Sequence, residues 1–247
     1  MKNRICESQK MKVDRSAHSP QAGDAREHAR WNERMVQKYD PDAYHQHQNP
    51  VIRWIEARRV GEVMRHIPGE NDPRILEVGC GGGNVLDRVP AKRLYGMDLS
   101  RFILYKAKER LGNRASLLCG AAERLPFRDG AFDCVFCTEV IEHTLDPSVI
   151  MGEMLRMLRP GGVLILSVPN EGLIDRLKRL ISRLGFYRLF FTSGDFASPV
   201  DNEWHLHDFD RKFLTQVIGP NLEGARIIAI PFFILPLRFV AVGYKHK

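Results

Sequence analysis

Two short stretches carry the residue types best suited to chemistry. Thr138-Glu139-Val140-Ile141-Glu142-His143 places two carboxylates and an imidazole close together, and His205-x-His207 adds two more imidazoles. On a helical turn Glu139, Glu142 and His143 fall at i, i+3 and i+4 and share one face. On extended chain His205 and His207 point the same way. Such a set suits a divalent metal on Glu139, Glu142, His143, His205 and His207, which would lower the pKa of a bound hydroxyl. It equally suits metal-free proton transfer, with His143 as the base.

A second signal is the turn Glu77-Val78-Gly79-Cys80-Gly81-Gly82-Gly83. Glycine turns that follow the first strand of an α/β unit let backbone approach a ligand closely. The dinucleotide fingerprint Gly-x-Gly-x-x-Gly is not met, because Asn84 stands at the third glycine position. Glu77, two residues before the first glycine, would repel a pyrophosphate and suits a ligand with a positive amino group. Twenty-one residues beyond Glu77 comes Asp98, in Tyr95-Gly96-Met97-Asp98. A carboxylate there can accept from both hydroxyls of a ribose. Ser100 reads as the N-cap of the next helix.

These groups need a framework. The pattern predicts helices over 25–40 (Trp31, Met35 and Tyr39 four apart) and 51–66, both ahead of the glycine turn. From Arg74 strands and helices alternate. Strands are expected at 75–78, 93–97, 115–119, 133–137 and 163–168. Helices are expected at 84–89, 101–111 and 146–158, with Arg159-Pro160-Gly161-Gly162 as a turn. Farther on come a helix at 209–218 and strands at 225–230 and 238–244. This spacing implies βαβ units and a doubly wound α/β fold built on a mostly parallel sheet. One domain, 26–247, is expected after a flexible tail at 1–25, with an irregular insertion at 171–208.

The chain has 247 residues, 44% hydrophobic, with a formal net charge of +7. No apolar run reaches the roughly 18 residues of a membrane span, and the start lacks a secretory h-region, so a cytoplasmic protein is expected. Five cysteines without framework spacing argue against a disulfide scaffold. Cys134-x-x-Cys137 lies in an apolar strand, where positions three apart face opposite ways, so buried thiols fit better than a zinc pair. The positive charge is spread thinly, and nucleic acid is not an expected partner.

The stretches ILEVGCGGG (75–83), YGMD (95–98), GAAERLPF (120–127), FDCVFCTEVIEH (132–143) and LRPGGVLILSVPN (158–170) occur in order. Together they resemble the successive motifs of class I S-adenosylmethionine-dependent methyltransferases of the type 11 kind. The resemblance implies a seven-stranded Rossmann-like sheet and S-adenosylmethionine as cofactor. It places Glu77, Gly79 and Gly81 at the methionine end and Asp98 at the ribose, with Cys80 and Leu99 also among the cofactor-binding residues. Ala121 and Ala122 fall beside the adenine, with Cys137 and Thr138 closing the pocket. Ala121-Ala122 stand where the family often has Asp, leaving adenine to backbone groups and apolar packing. Glu-x-x-Glu-His is similar to the pattern in ubiquinone-biosynthesis O-methyltransferases and small-RNA terminal 2′-O-methyltransferases. The implied function is methylation, most simply of oxygen on a small-molecule or lipid-linked acceptor. An RNA methyltransferase and a catalytically silent cofactor-binding protein are the alternatives.

Within the insertion, Leu173, Ile174, Leu177, Leu180, Ile181 and Leu184 form an apolar helical stripe among Arg176, Lys178, Arg179 and Arg183. Phe186, Tyr187, Phe190 and Phe191 follow. The stripe predicts a lid helix packed on the sheet, or a peripheral membrane contact through 173–191.

Overall fold

The computed structural model describes residues 25–44, 49–69, 71–184, 204–218 and 221–247. Helices α1 (Ala25–Tyr39), α2 (Pro41–Tyr44) and α3 (Pro50–His66) precede the sheet. The strands are β1 (Arg74–Val78), β2 (Arg93–Asp98), β3 (Ala115–Cys119), β4 (Phe132–Thr138), β5 (Leu158–Pro169), β6 (Leu222–Phe232) and β7 (Leu235–Lys245). Helices α4 (Arg101–Leu111), α5 (Pro147–Met157), α6 (Glu171–Arg183) and α7 (Arg211–Ile218) complete the described elements. The sheet order is β3-β2-β1-β4-β5-β7-β6. β1 to β5 run parallel, and β7 lies antiparallel to both β5 and β6. The parallel strands therefore finish at one edge, where ligands of such sheets bind.

Local chemistry starts each helix. Asn49 caps α3 with Pro50 at its first position, and Asp146 caps α5 ahead of Pro147. Ser100 Oγ accepts from Ile103 N at 3.3 Å, the expected cap of α4. Over 84–89 only a 3-10 turn forms, Leu86–Arg88. Pro90 follows at once, and the residue before a proline is pushed to extended backbone, as Val89 is at ψ 119°. The expected turn at 159–162 is absorbed into β5. The register shifts between Phe132 and Cys134, and Gly161 takes φ 70°, so extra residues bulge without ending the strand. The last two strands run longer than expected and close as a hairpin whose tip lies at 232–235.

Apolar layers fill both faces of the sheet. One contains Leu76, Val78, Cys137, Leu164, Leu166 and Phe209; the other contains Ile75, Cys134, Phe136, Val163 and Ile165. Cys134 and Cys137 thus point to opposite faces, as their spacing requires. No disulfide occurs among the described residues.

One feature of the core has no counterpart in the hydrophobic pattern. α3 buries Glu56 and Arg59 along with Val60 and Val63. Arg59 Nε donates to Glu56 Oε2 at 2.9 Å, and its second nitrogen pairs with Glu56 Oε1. Arg59 Nη1 also donates to Ser167 Oγ on β5, at 3.0 Å. A buried pair broken on one side leaves an uncompensated charge. Arg59→Met is therefore expected to lower unfolding free energy by about 3–5 kcal/mol. Arg59→Met with Glu56→Leu should recover a large part of that loss. Urea unfolding followed by tryptophan fluorescence reads both, and equal stability of the two variants contradicts the account.

Candidate active site

β1 and β2 end side by side, and backbone fixes the glycine turn between them. Gly79 N and Cys80 N both donate to Met97 O, at 2.7 and 2.9 Å. Gly79 has φ 72°, and a Cβ there would overlap the side chain of Val140. Any side chain at Gly79 is thus excluded by both backbone conformation and space. Asp98 Oδ2 accepts from Gly81 N and Oδ1 from Ser100 N, each at 2.9 Å. Those two bonds orient the carboxylate. Burial raises the Asp98 carboxyl despite these donors. Gly120 N donates to Asp98 O at 3.0 Å, so the partly exposed Ala121 and Ala122 follow directly on the end of β2.

Glu77 is 1% exposed. Thr138 Oγ1 donates to its Oε1 at 3.3 Å, while Oε2 has no hydrogen-bond partner. Burial pushes its carboxyl well above the usual range. An orphaned buried carboxylate oxygen fits a cationic amino group, which would restore the lost stabilisation. Cys80 is buried beside this turn. Cys137 lies fully inside one apolar layer, so of the pair expected to close the pocket only Thr138 makes a polar contact there.

The N-terminal segment latches this turn from outside. Arg110 on α4 grips Asp42 of α2 with two nitrogens, at 2.8 and 3.1 Å, and also donates to Gly82 O. Asn84 Nδ2 donates to the same Asp42 carboxylate. The residue that breaks the dinucleotide fingerprint is therefore used as an anchor.

At the end of β4 the expected common face does not form. Glu139 takes φ 56°, so the chain leaves the strand through a left-handed residue and the 3-10 turn Ile141–His143 starts only afterwards. Glu139 consequently turns away from Glu142 and His143. Its Oε1 accepts from Ser167 Oγ at 3.0 Å, and its Oε2 pairs with Arg238 of β7 at 3.0 Å. Glu142 and His143 do meet His205, with one possible ligand atom from each lying within 4.8 Å of the others. His207 is not in the group. Leu206 N and His207 N both bend toward Glu142 O, at 2.7 and 3.2 Å, so the segment is not extended and the two rings diverge. His207 Nε2 instead meets Thr144 O at 2.8 Å.

The surroundings define the protonation of this cluster. Burial, then the nearby Glu139, pushes Glu142 well above the usual carboxylate range, and its Oε2 has no partner. Burial, then His205, holds His143 well below the ordinary imidazole value, so it is neutral at neutral pH. His143 Nδ1 faces Trp204 O at 3.1 Å; a carbonyl only accepts, so Nδ1 carries the proton and Nε2 keeps the lone pair. His205 Nδ1 faces Glu171 Oε1 at 3.0 Å by the same logic. Burial alone would raise Glu171, but the His205 contact wins and holds it low. The His143 ring stacks on Trp204 at 4.3 Å between centroids, and Tyr39 stacks beyond it at 6.0 Å. Trp204 Nε1 donates to Asn32 Oδ1 at 3.3 Å, and His28 Nε2 donates to His143 O at 2.9 Å. Helix α1 thus braces the cluster. Sequence reasoning missed Arg59, Ser167, Arg238, Asp42, Arg110 and Asn32, since polar side chains at scattered positions carry no period.

Fold and site together define a doubly wound α/β protein with a glycine turn and two carboxylates, the buried Glu77 and the partly buried Asp98, at the ends of β1 and β2. Residues 76–166 match the family described as a methyltransferase domain. The ubiquinone biosynthesis O-methyltransferase of Idiomarina loihiensis is 31% identical over 179 residues, covering 70% of this chain and 72% of that protein. The enzyme of the same name from Burkholderia thailandensis is 32% identical over 147 residues, covering 54% and 56%. Several other curated relatives are matched over less than two thirds of their own length. The solved N-methyltransferase NodS from Bradyrhizobium japonicum, in complex with S-adenosyl-l-homocysteine, shares the fold, with a TM-score of 0.62 at 15% identity over 87% of this chain and 98% of that one. The chain belongs to the class I S-adenosylmethionine-dependent methyltransferases.

The orphaned Glu77 gives a sharp test. Its carboxyl is raised on folding, so ionising it costs folded-state stability above about pH 4.5, and that cost vanishes below. Glu77→Gln is expected to leave the ligand-free protein at least as stable at pH 7.5, an advantage that fades toward pH 4.5. The same variant should bind S-adenosylmethionine about tenfold or more weakly, one charge-assisted bond being lost. Calorimetry and thermal melts read both; tight binding by the variant contradicts the assignment.

Proposed function

We propose that the protein transfers a methyl group from S-adenosylmethionine to a hydroxyl oxygen of a small-molecule or lipid-linked acceptor. The observation that carries this reading is His143: half-buried, neutral, with Nδ1 committed to Trp204 O and the Nε2 lone pair remaining. S-adenosylmethionine, when bound, supplies the electrophilic methyl carbon on its sulfonium. The chain contributes position and proton removal. The acceptor oxygen attacks the methyl carbon, the carbon–sulfur electrons return to sulfur, and the hydroxyl proton passes to His143 Nε2. Trp204 stacks on that base, and Tyr39 stacks on Trp204 in turn. The ubiquinone biosynthesis O-methyltransferases among the relatives support an oxygen acceptor.

A second reading adds a divalent metal on Glu142, His143 and His205. It is favoured by the orphaned Glu142 Oε2 and by two imidazoles each held through Nδ1 to an oxygen acceptor, as metal-bound histidines usually are. Such an ion would lower the pKa of the acceptor hydroxyl. Glu139 and His207 lie outside that set.

His143→Ala is expected to reduce kcat on a hydroxyl-bearing acceptor by about 10²–10⁴ with S-adenosylhomocysteine affinity unchanged. Because His143 is held low, wild-type activity should persist below pH 6.5 and fall only as pH drops through its depressed pKa. Retained activity in the alanine variant would remove the base assignment. Chelation decides the second reading: loss of activity restored by a divalent ion supports it, and full activity after exhaustive chelation sinks it.

A further inference from the structure

The hairpin tip between β6 and β7 projects past the sheet edge at which the candidate site lies. Pro169, the last residue of β5, pairs with Arg238, so everything from Leu237 back to Phe232 extends beyond it. The tip carries large apolar side chains outward: Phe233 is 77% and Ile234 90% exposed. Phe232 packs against Trp54 of α3, with ring centroids 5.6 Å apart, and both remain about half exposed, as does Val51 one turn earlier on α3. Isolated exposed hydrophobes are ordinary, but an outward cluster from two elements is not.

The rim of this cluster is basic. The Arg58 guanidinium lies 5.9 Å from the centre of the Trp54 ring, and Arg211 lies 5.9 Å from that of Phe233. Lys212 is exposed next to Arg211. The exposed acids nearby are Asp208 and Asp210, and Asp210 is used to cap α7 through Phe213 N. α6 departs from the same corner, because Asn170 Nδ2 donates to Pro236 O at 2.8 Å. Of that helix only Glu171 is buried; Leu180 and Leu184 are exposed among Arg176, Arg179 and Arg183.

We infer that the 232–235 hairpin tip, with Val51 and Trp54, is a wedge that inserts into an anionic phospholipid surface. Two physical points select lipid over a protein partner. The apolar groups sit at the apex of a projecting hairpin, a shape that enters a deformable interface more readily than a rigid face. Arginines stacked on the rim aromatics place positive charge at headgroup depth while the rings reach further in. The wedge adjoins Arg238, whose guanidinium pairs with Glu139, so a docked bilayer would lie beside the candidate acceptor site. This goes beyond the proposed reaction and is read without it.

Flotation of the full chain with vesicles of phosphatidylcholine and phosphatidylglycerol at about 70:30 tests the wedge. Wild type should float with these vesicles, and binding should weaken in high salt and on pure phosphatidylcholine. Phe233→Ser with Ile234→Ser should lower the partition coefficient about tenfold or more, through lost burial of two apolar side chains. Both positions are exposed, so an unchanged melting temperature checks that the variant folds. All charges of α6 stay in place, so binding through α6 alone appears as an undiminished variant. That result, absence of wild-type flotation, or equal binding to neutral vesicles overturns the inference. So does concentration-dependent dimerisation abolished by the same substitutions without lipid binding.

Discussion

The charged chain Glu56–Arg59–Ser167–Glu139–Arg238 ties α3, β5, the end of β4 and β7 into one unit. Everything at the acceptor end depends on it. Glu139 holds φ 56°, a conformation that a side chain of its kind adopts only at some cost. Two strong contacts to its carboxylate, from Ser167 and Arg238, offset that cost. The left-handed residue turns the chain abruptly, which seats Val140 against Gly79 and begins the turn that presents Glu142 and His143. One of the two carboxylates expected at the site thus acts as the hinge pin of the segment that carries Glu142 and His143.

The same residue couples the two ends of the site. Val140 packs where a Cβ on Gly79 would have to stand, so the glycine turn and the His143 turn share one van der Waals surface. A shift at Glu139 would be felt at Gly79 and, through Met97 O, at the end of β2. The glycine turn and the turn carrying Glu142 and His143 are therefore set together by close packing, which transmits small displacements poorly absorbed elsewhere.

The framework was legible in the sequence where hydrophobic period and local chemistry agreed. Gly79 to Gly83 and Asp98 could be placed because a strand, a turn and a second strand end follow one another at fixed spacing. Strands β1 to β4 and helix α4 follow the expected boundaries closely for the same reason. What failed was any inference that assumed regular backbone at the site. Glu139, Glu142 and His143 share a face only on a helix, and a single left-handed residue removed that condition. His205 and His207 point alike only on extended chain, and two backbone bonds to Glu142 O bent it. Arg59 was illegible because a basic residue on an amphipathic helix normally faces water; its burial is decided by Glu56 and Ser167, which no period reveals. The insertion was half legible: α6 forms as expected over Glu171–Arg183, but the second half of its apolar stripe stays exposed rather than covering the sheet. The aromatic cluster at 186–191 lies outside the described residues.

Two carboxylate oxygens, Glu77 Oε2 and Glu142 Oε2, are buried without hydrogen-bond partners, one at each end of the site. Both carboxyls are displaced upward by burial, in a direction that opposes ionisation and so lowers stability near neutral pH. Neither is a flaw of packing, since the core around them is closed. Each is a carboxylate that the fold buries with one oxygen lacking a hydrogen-bond partner. A group that arrives with positive charge or a proton to donate recovers that deficit on binding, whereas a neutral apolar ligand recovers none. A site built this way favours cationic or proton-bearing groups over neutral apolar ones, because their binding recovers part of what burial costs.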